Sequence, residues 1–251
     1  MITRLSVNLN KVALLRNARS LNVPSVLNAG HIALSAGAAG LTVHPRPDER
    51  HIRPQDVEAL SQLVKDHGAA ELNIEGNPFE NLLQYARTYR PHQCTLVPDA
   101  PEQTTSDHGW DLVRDAPRLR PLVAELKDLG IRVSLFMDPE AQSMALAAQL
   151  GADRVELYTE SYARAFGTMA QESVLATYAR AASAARDAGL MINAGHDLNR
   201  LNLATFIAAT RPIAEVSIGH ALIAEALEWG LKSTVETYLE ATRFGSAGRV
   251  S

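Results

Sequence analysis

The sequence predicts a closed (β/α)8 TIM barrel, and three observations carry the prediction. Eight short β-rich runs recur along the chain. The stretches between most of them are rich in alanine and leucine and long enough for a helix, and several of those stretches stop at a glycine. Strand–helix alternation repeated eight times implies parallel strands joined by helical crossovers. Barrels of this kind build their active sites at the carboxyl ends of the strands.

The first run is SVNLN at 6–10, and VPSVLNAGHIALSAG after it has apolar residues at helical spacing, which predicts the first outer helix. LTVHP at 41–45 is the second strand. PQDVEALSQLVKDHG, with Pro at its start and Gly at its end, is the second helix. LNIEG at 72–76 precedes PFENLLQYARTYRP, a third helix bounded by prolines. CTLVP at 94–98 leads directly into the polar, turn-rich DAPEQTTSDHGW, whose length marks an active-site loop. VSLFMD at 133–138 and VELYT at 155–159 follow. The stretch 159–188 exceeds one crossover, so an added short helix is expected there before the sixth outer helix. MINAGH at 191–196 and VSIGH at 216–220 complete the set. AGAAGLTVHP, LGADRVELYT and AGLMINAGH each place a helix-stopping Gly before a strand, because Gly takes positive φ without a Cβ penalty. The tail RFGSAGRVS reads as frayed from 243 on, leaving 1–242 as the core of a single domain.

Bulk properties narrow the function. A length of 251 residues suits one barrel, and 46% hydrophobic with 21% charged residues is ordinary for a soluble globular chain. A formal charge of −4 gives no general pull toward nucleic acid or anionic membrane, so anionic substrates must be met by local cations and backbone amides. The lone Cys94 excludes an intramolecular disulfide, fits a reducing cytosol and reads as a buried structural thiol. No run reaches the roughly 18 apolar residues of a membrane span, and the N-terminus lacks a signal-peptide pattern. A cytoplasmic protein is expected.

The strand ends carry the chemistry. Asn8, Asn10, His44, Glu75, Glu156, His196 and His220 all fall there. His44, Arg46 and His51 lie within eight residues in HPRPDERH, and an Arg fork with near-neutral imidazoles suits a phosphorylated substrate. The competing account is a solvated charged loop, which is how Arg50 is read. Glu75, ending an inward-facing strand, is costly unless paired or used, which makes it a general acid/base or one half of a structural ion pair. Glu156 stands in the same position with the same two readings. His196 and His220 each follow a Gly at a strand end, where backbone can approach a ligand closely. The loops after strands seven and eight often cradle phosphate with a helix N-terminus, which suits Gly219 and His220. No HxH, HExxH, Cys/His cluster, GxGxxG or Walker loop appears, so catalysis without metal or redox cofactor is expected.

These residues occur in an order that resembles the pyridoxine 5′-phosphate synthase (PdxJ) family. The matching segments are VNLNKVALLRNAR, AGAAGLTVHPRPDERHI, LNIE, PHQCTLVP, RVSLFMD, VELYTESYA, INAGHDLN and EVSIGHALI, spanning nearly the whole chain. The resemblance implies a barrel with extra helices that assembles as a homo-octamer. It also implies condensation of 1-deoxy-D-xylulose 5-phosphate with 3-amino-2-oxopropyl phosphate, closing a pyridine ring and releasing phosphate and water. It makes His44 and Glu75 proton acceptors and His196 a proton donor. By the same resemblance Asn8, Arg19, Asp197, Gly219 and His220 hold the aminoketone phosphate, and Arg46, His51 and Thr105 hold the deoxyxylulose phosphate. Two departures stand out: many members have Asp-His in place of Asn10-Lys11, and Gly in place of Asp197. Two rival readings remain. One is another phosphosugar isomerase or aldolase, with Lys11 as its candidate Schiff-base lysine. The other is a barrel that binds phosphate esters without turnover.

Overall fold

A computed structural model describes residues 1–103 and 105–249. Its eight strands are β1 (Arg4–Asn8), β2 (Gly40–Val43), β3 (Glu71–Gly76), β4 (Gln93–Leu96), β5 (Arg132–Met137), β6 (Arg154–Tyr158), β7 (Met191–Gly195) and β8 (Glu215–Ile218). They pair in parallel, in sequence order, and close between β8 and β1. Around them run α1 (Asn10–Asn17), α2 (Val26–Ser35), α3 (Pro54–His67), α4 (Leu82–Tyr89), α5 (Leu112–Asp128) and α6 (Ala141–Leu150). These are followed by α7 (Glu160–Ala165), α8 (Gln171–Asp187), α9 (Leu203–Thr210), α10 (His220–Trp229) and α11 (Leu231–Ser246). The TIM barrel expected from the alternation is present, and α7 is the added short helix before α8.

Three boundaries differ from expectation. Asn10 does not belong to the first strand, which ends at Asn8. The Asn8 Oδ1 accepts the Asn10 N–H at 3.0 Å, an Asx turn that competes with the ladder and starts α1. Two helices therefore occupy the first crossover where one was expected. The second of them starts at a Ser25 cap whose Oγ accepts the Asn28 N–H. The tail is not frayed from 243: α11 continues to Ser246. Gly245 lets it lie close on α9, since a Cβ there would come within 2.7 Å of the Ala204 carbonyl oxygen. Ser246 is also tied to Thr3, accepting its N–H at 2.9 Å.

The strands alternate cleanly, and the alternation has an uncommon sense. The residues facing the helices, among them Leu5, Val7, Leu41, Val43, Leu72, Ile74, Val133, Leu135, Val155 and Leu157, are apolar and fully or nearly fully buried. Their burial against the helical shell supplies most of the hydrophobic stabilisation. The intervening residues are polar and meet inside the barrel. Asn193 Nδ2 on β7 donates to Gln93 Oε1 on β4, and Gln93 Nε2 to Glu215 Oε1 on β8, both at 3.3 Å. Above them Ser6, Thr42, Asn73 and Thr95 hydrogen-bond in sequence. Near the amino ends Arg4, Glu71 and Arg132 form ion pairs. Barrel interiors are more often filled by Val, Ile and Leu. Here a mostly satisfied polar interior leads up to the carboxyl ends of the strands.

Candidate active site

A cavity of about 480 Å³ opens at those carboxyl ends. Thirteen of the fourteen residues singled out from the sequence line it: Asn8, Asn10, Lys11, His44, Arg46, His51, Glu75, Thr105, Glu156, His196, Asp197, Gly219 and His220. Arg19 does not; it is exposed just beyond α1. Alternation explains the convergence. Residues two apart on each strand share a face, so Asn8, Glu75 and Glu156 top the same inward rows that hold Ser6, Asn73 and Arg154.

One wall holds two imidazoles. His44 is buried, and its pKa lies well below the usual histidine value, first through loss of hydration and then through the Arg46 charge. His51, with ring centroid 6.2 Å from that of His44, is pushed down to about 4 by burial, then by Arg46 and Lys11. Its Nδ1 accepts the Ile52 N–H at 2.9 Å, so the neutral ring carries its proton on Nε2 and is a donor there. The Asn10 Oδ1 accepts the His44 backbone N–H at 2.9 Å. Asn10 thereby positions His44. Arg46 has its guanidinium engaged, pairing with buried Asp99 and donating to the carbonyls of Gln103 and Ala100. No carboxylate among the described residues pairs with Lys11 within ion-pair distance, and it brings an uncompensated positive charge to this wall.

Two carboxyls at strand ends, Glu75 and Glu156, border the cavity. Glu75 borders the cavity but sits deep in the barrel mouth. Loss of hydration, then Glu156, Asp99 and Glu215, raise its pKa well above the carboxylate range. Asn8 Nδ2 donates to its Oε2 at 3.4 Å. Glu156 is buried, and desolvation followed by Glu215 pushes it up to about 8. Gly195 on β7 leaves room for it, since a Cβ there would lie 2.3 Å from Glu156 Oε1. Both groups thus hold protons to unusually high pH, a property of acid/base sites.

Opposite stands His196, with φ of +82°, followed by Asp197 at +58°. Two successive left-handed residues other than glycine store strain, of a kind common at functional sites. The Thr159 hydroxyl holds the turn by contacting the Gly195 and His196 carbonyls. The Asp197 Oδ2 lies 3.1 Å from His196 Nδ1, and Thr105 Oγ1 lies 2.9 Å from His196 Nε2. The His196 contact holds the Asp197 carboxyl below its ordinary value. At Asp197 the backbone takes positive φ, which Asp tolerates better than most residues.

Gly219 packs on Asn8, where a Cβ would sit 3.1 Å from that residue's Cβ. It caps α10 without a side-chain bond, which leaves the first-turn amides of a ten-residue helix open at the cavity rim. Such a terminus suits an anion.

Sequence reasoning missed Val97, Phe136, Tyr158 and Ser217. Val97, Phe136 and Tyr158 form a small apolar cluster, and Tyr158 packs edge-on against His196 with centroids 5.1 Å apart. They make one apolar wall beside the polar groups. A signal existed: each of the four lies two residues beyond an inward polar residue, Thr95, Ser134, Glu156 or Glu215.

The structure is similar to a chain of Mycobacterium tuberculosis tryptophan synthase, with a TM-score of 0.67 at 12% identity, covering 96% of this chain and 93% of that one. It is also similar to Thermus thermophilus phosphoribosyl anthranilate isomerase, at TM-score 0.58 and 12% identity, covering 96% and 98%. At such identities the likeness establishes the fold alone. In sequence, the chain is 57% identical over 244 residues to the pyridoxine 5′-phosphate synthase of Albidiferax ferrireducens, covering 95% of this chain and 97% of that protein. It is 52% identical over 252 residues to the pyridoxine 5′-phosphate synthase of Xanthomonas axonopodis pv. citri, covering 98% of each. The family profile described as pyridoxal phosphate biosynthesis protein PdxJ matches residues 5–243. With the order of its motifs, its barrel and nearly full-length relatives in agreement, this chain belongs to the PdxJ family.

Proposed function

We propose that the chain is a pyridoxine 5′-phosphate synthase, condensing 3-amino-2-oxopropyl phosphate with 1-deoxy-D-xylulose 5-phosphate and releasing phosphate and water. The observation that carries the reading is the opposition of His44 and Glu75 to His196 across one cavity. The reaction needs an imine to form, a proton beside a carbonyl to leave, and water and phosphate to depart. Each step moves a proton that a positioned base or acid can take or give. His44, neutral at pH 7 because burial and Arg46 disfavour its charge, serves as a proton acceptor. Glu75 serves as the second once deprotonated. His196, oriented by Asp197, returns a proton to a leaving oxygen. Glu156 is a further proton-holding group beside them.

The two phosphates go to the two cationic or amide-rich ends. Gly219, His220 and the open amides of α10, with Asn8 and the backbone N–H of Asp197, take the aminoketone phosphate. His51 and Thr105 take the deoxyxylulose phosphate, with Arg46 and Lys11 supplying positive potential. The apolar wall of Phe136 and Tyr158 matches the flat ring that forms. Arg19 lies outside the cavity of its own chain, so a role in phosphate binding requires approach from a neighbouring copy. Leu14, Leu15, Leu21 and Val23, exposed by 43–67% on either side of it, support a homo-oligomer, the octamer implied by the family resemblance. A cytoplasmic location accords with a biosynthetic enzyme in which no helix among the described residues is long and apolar enough to cross a membrane.

The test mixes purified protein with both phosphates, without added metal or nicotinamide, and follows phosphate release and pyridoxine 5′-phosphate formation together. Stoichiometric appearance of both is expected. Saturable binding of either ester without product would overturn the reading in favour of a binding barrel.

A further inference from the structure

The loop from β4 to α5 reaches across the barrel mouth, since Thr105 on it meets His196 beyond β7, three strands away. What holds it there comes from the loop between β2 and α3. Arg46 donates through Nη1 to the carbonyls of Gln103, at 3.0 Å, and Ala100, at 3.4 Å. Arg50 donates through Nη1 to the Gln103 carbonyl and through Nη2 to that of Pro101, each at 2.6 Å. Its Nε is held by Asp48 at 2.8 and 3.0 Å. Three carbonyls of one irregular turn thus receive donors from two guanidinium groups, that of Ala100 also accepting the Gln103 N–H. Such carbonyls have no ladder partner, and a planar fork of fixed donors is the side chain suited to bridging two of them. Arg50 itself does not line the cavity. The β2–α3 loop is fastened in turn to α1, because Asn17 Nδ2 donates to the Arg50 and His51 carbonyls at 3.1 and 2.9 Å.

We propose that Arg50 is a positioning residue for the reaction: together with Arg46 it clamps the β4–α5 loop so that Thr105 is presented to His196 and to the bound ester. Its effect on turnover rests on the functional reading above; its hold on the loop does not. The solvated-loop reading of Arg50 made from the sequence is replaced by this role.

The experiment compares wild type, Arg50→Ala and Arg50→Lys by amide hydrogen exchange without substrate, and then by kinetics. Loss of two charge-assisted hydrogen bonds should speed exchange across 99–108 by at least about tenfold in Arg50→Ala, with the barrel strands unchanged. Arg50→Lys, which keeps the charge but reaches one carbonyl at a time, falls between. In turnover, the KM of the ester at Thr105 rises while kcat stays within about twofold, because a smaller competent fraction weakens apparent binding without altering the reacting groups. Unchanged exchange in 99–108, or acceleration spread evenly over the whole barrel, overturns the proposal. Accelerated loop exchange in a protein whose wild type forms no product would leave the clamp standing and sink the functional reading instead. Arg50→Gln provides the same comparison where the alanine variant does not fold.

Discussion

Replacing Glu156 by glutamine should stabilise the protein at neutral and alkaline pH while impairing turnover. Glu156 is buried inside the barrel, with Thr95 Oγ1 donating to its Oε2 at 3.4 Å. Desolvation and then Glu215 move its pKa from 4.5 to about 8. In the unfolded chain the group titrates near its ordinary value. Between pH 4.5 and 8 the unfolded state therefore gives up a proton that the folded state keeps. Stability falls as pH rises through that window and levels off above it. One pKa unit corresponds to about 1.4 kcal/mol, so the penalty is roughly 3 kcal/mol at pH 7 and roughly 5 kcal/mol at pH 9. Glutamine removes the titration, keeps an oxygen for Thr95 and fills the same volume. For a chain of this size each kcal/mol moves Tm by about 2–4 °C. The variant should then melt within about 2 °C of wild type at pH 4.5 and about 6–12 °C higher at pH 7. Calorimetry at pH 4.5, 7 and 9 is the assay. A difference that does not widen with pH would refute a protonated, buried Glu156. Because Glu156 also helps to raise Glu75, the acid limb of the residual pH–rate profile should move to lower pH.

Other perturbations test other parts of the site. His196→Ala should cut turnover by at least about 10²-fold, the scale of a general acid, and near-normal steady-state rates would remove that role. Lys11→Ala should raise the KM for a phosphate ester by about tenfold or more and raise the pKa of His51, read by NMR titration; an unmoved His51 would contradict its coupling to Lys11. Gly195→Ala drives a Cβ toward Glu156 and should cost about 1–3 kcal/mol with loss of activity; a fully active variant melting like wild type would show that Glu156 has room to move.

Much of this protein is determined by local sequence. Each strand is a short β-rich run, and helix ends such as Gly68 and Gly151 adopt the positive φ that only glycine takes freely, so the alternation and the eightfold count are legible along the chain. The chemistry-bearing strand ends are legible for the same reason, because parallel barrels place all such ends on one face. Local pattern failed where a side chain competes with the ladder, as Asn8 does in starting α1 at Asn10, and where one glycine lets two helices meet, as Gly245 does for α11. It also failed to assign partners. The binding of Arg46 and Arg50 to carbonyls 54, 57, 51 and 53 residues away is a matter of distance in space, on which sequence spacing is silent. Arg19 lies exposed beyond the end of α1 and outside the cavity of its own chain, a placement that sequence spacing does not reveal. The raised pKa values of Glu75 and Glu156 likewise come from burial and from Glu215, which approach them only once the barrel closes. Local pattern along the chain marks most of the polar residues at the mouth, but not the apolar wall or the place of Arg19; protonation and partners follow only from what surrounds each group in three dimensions.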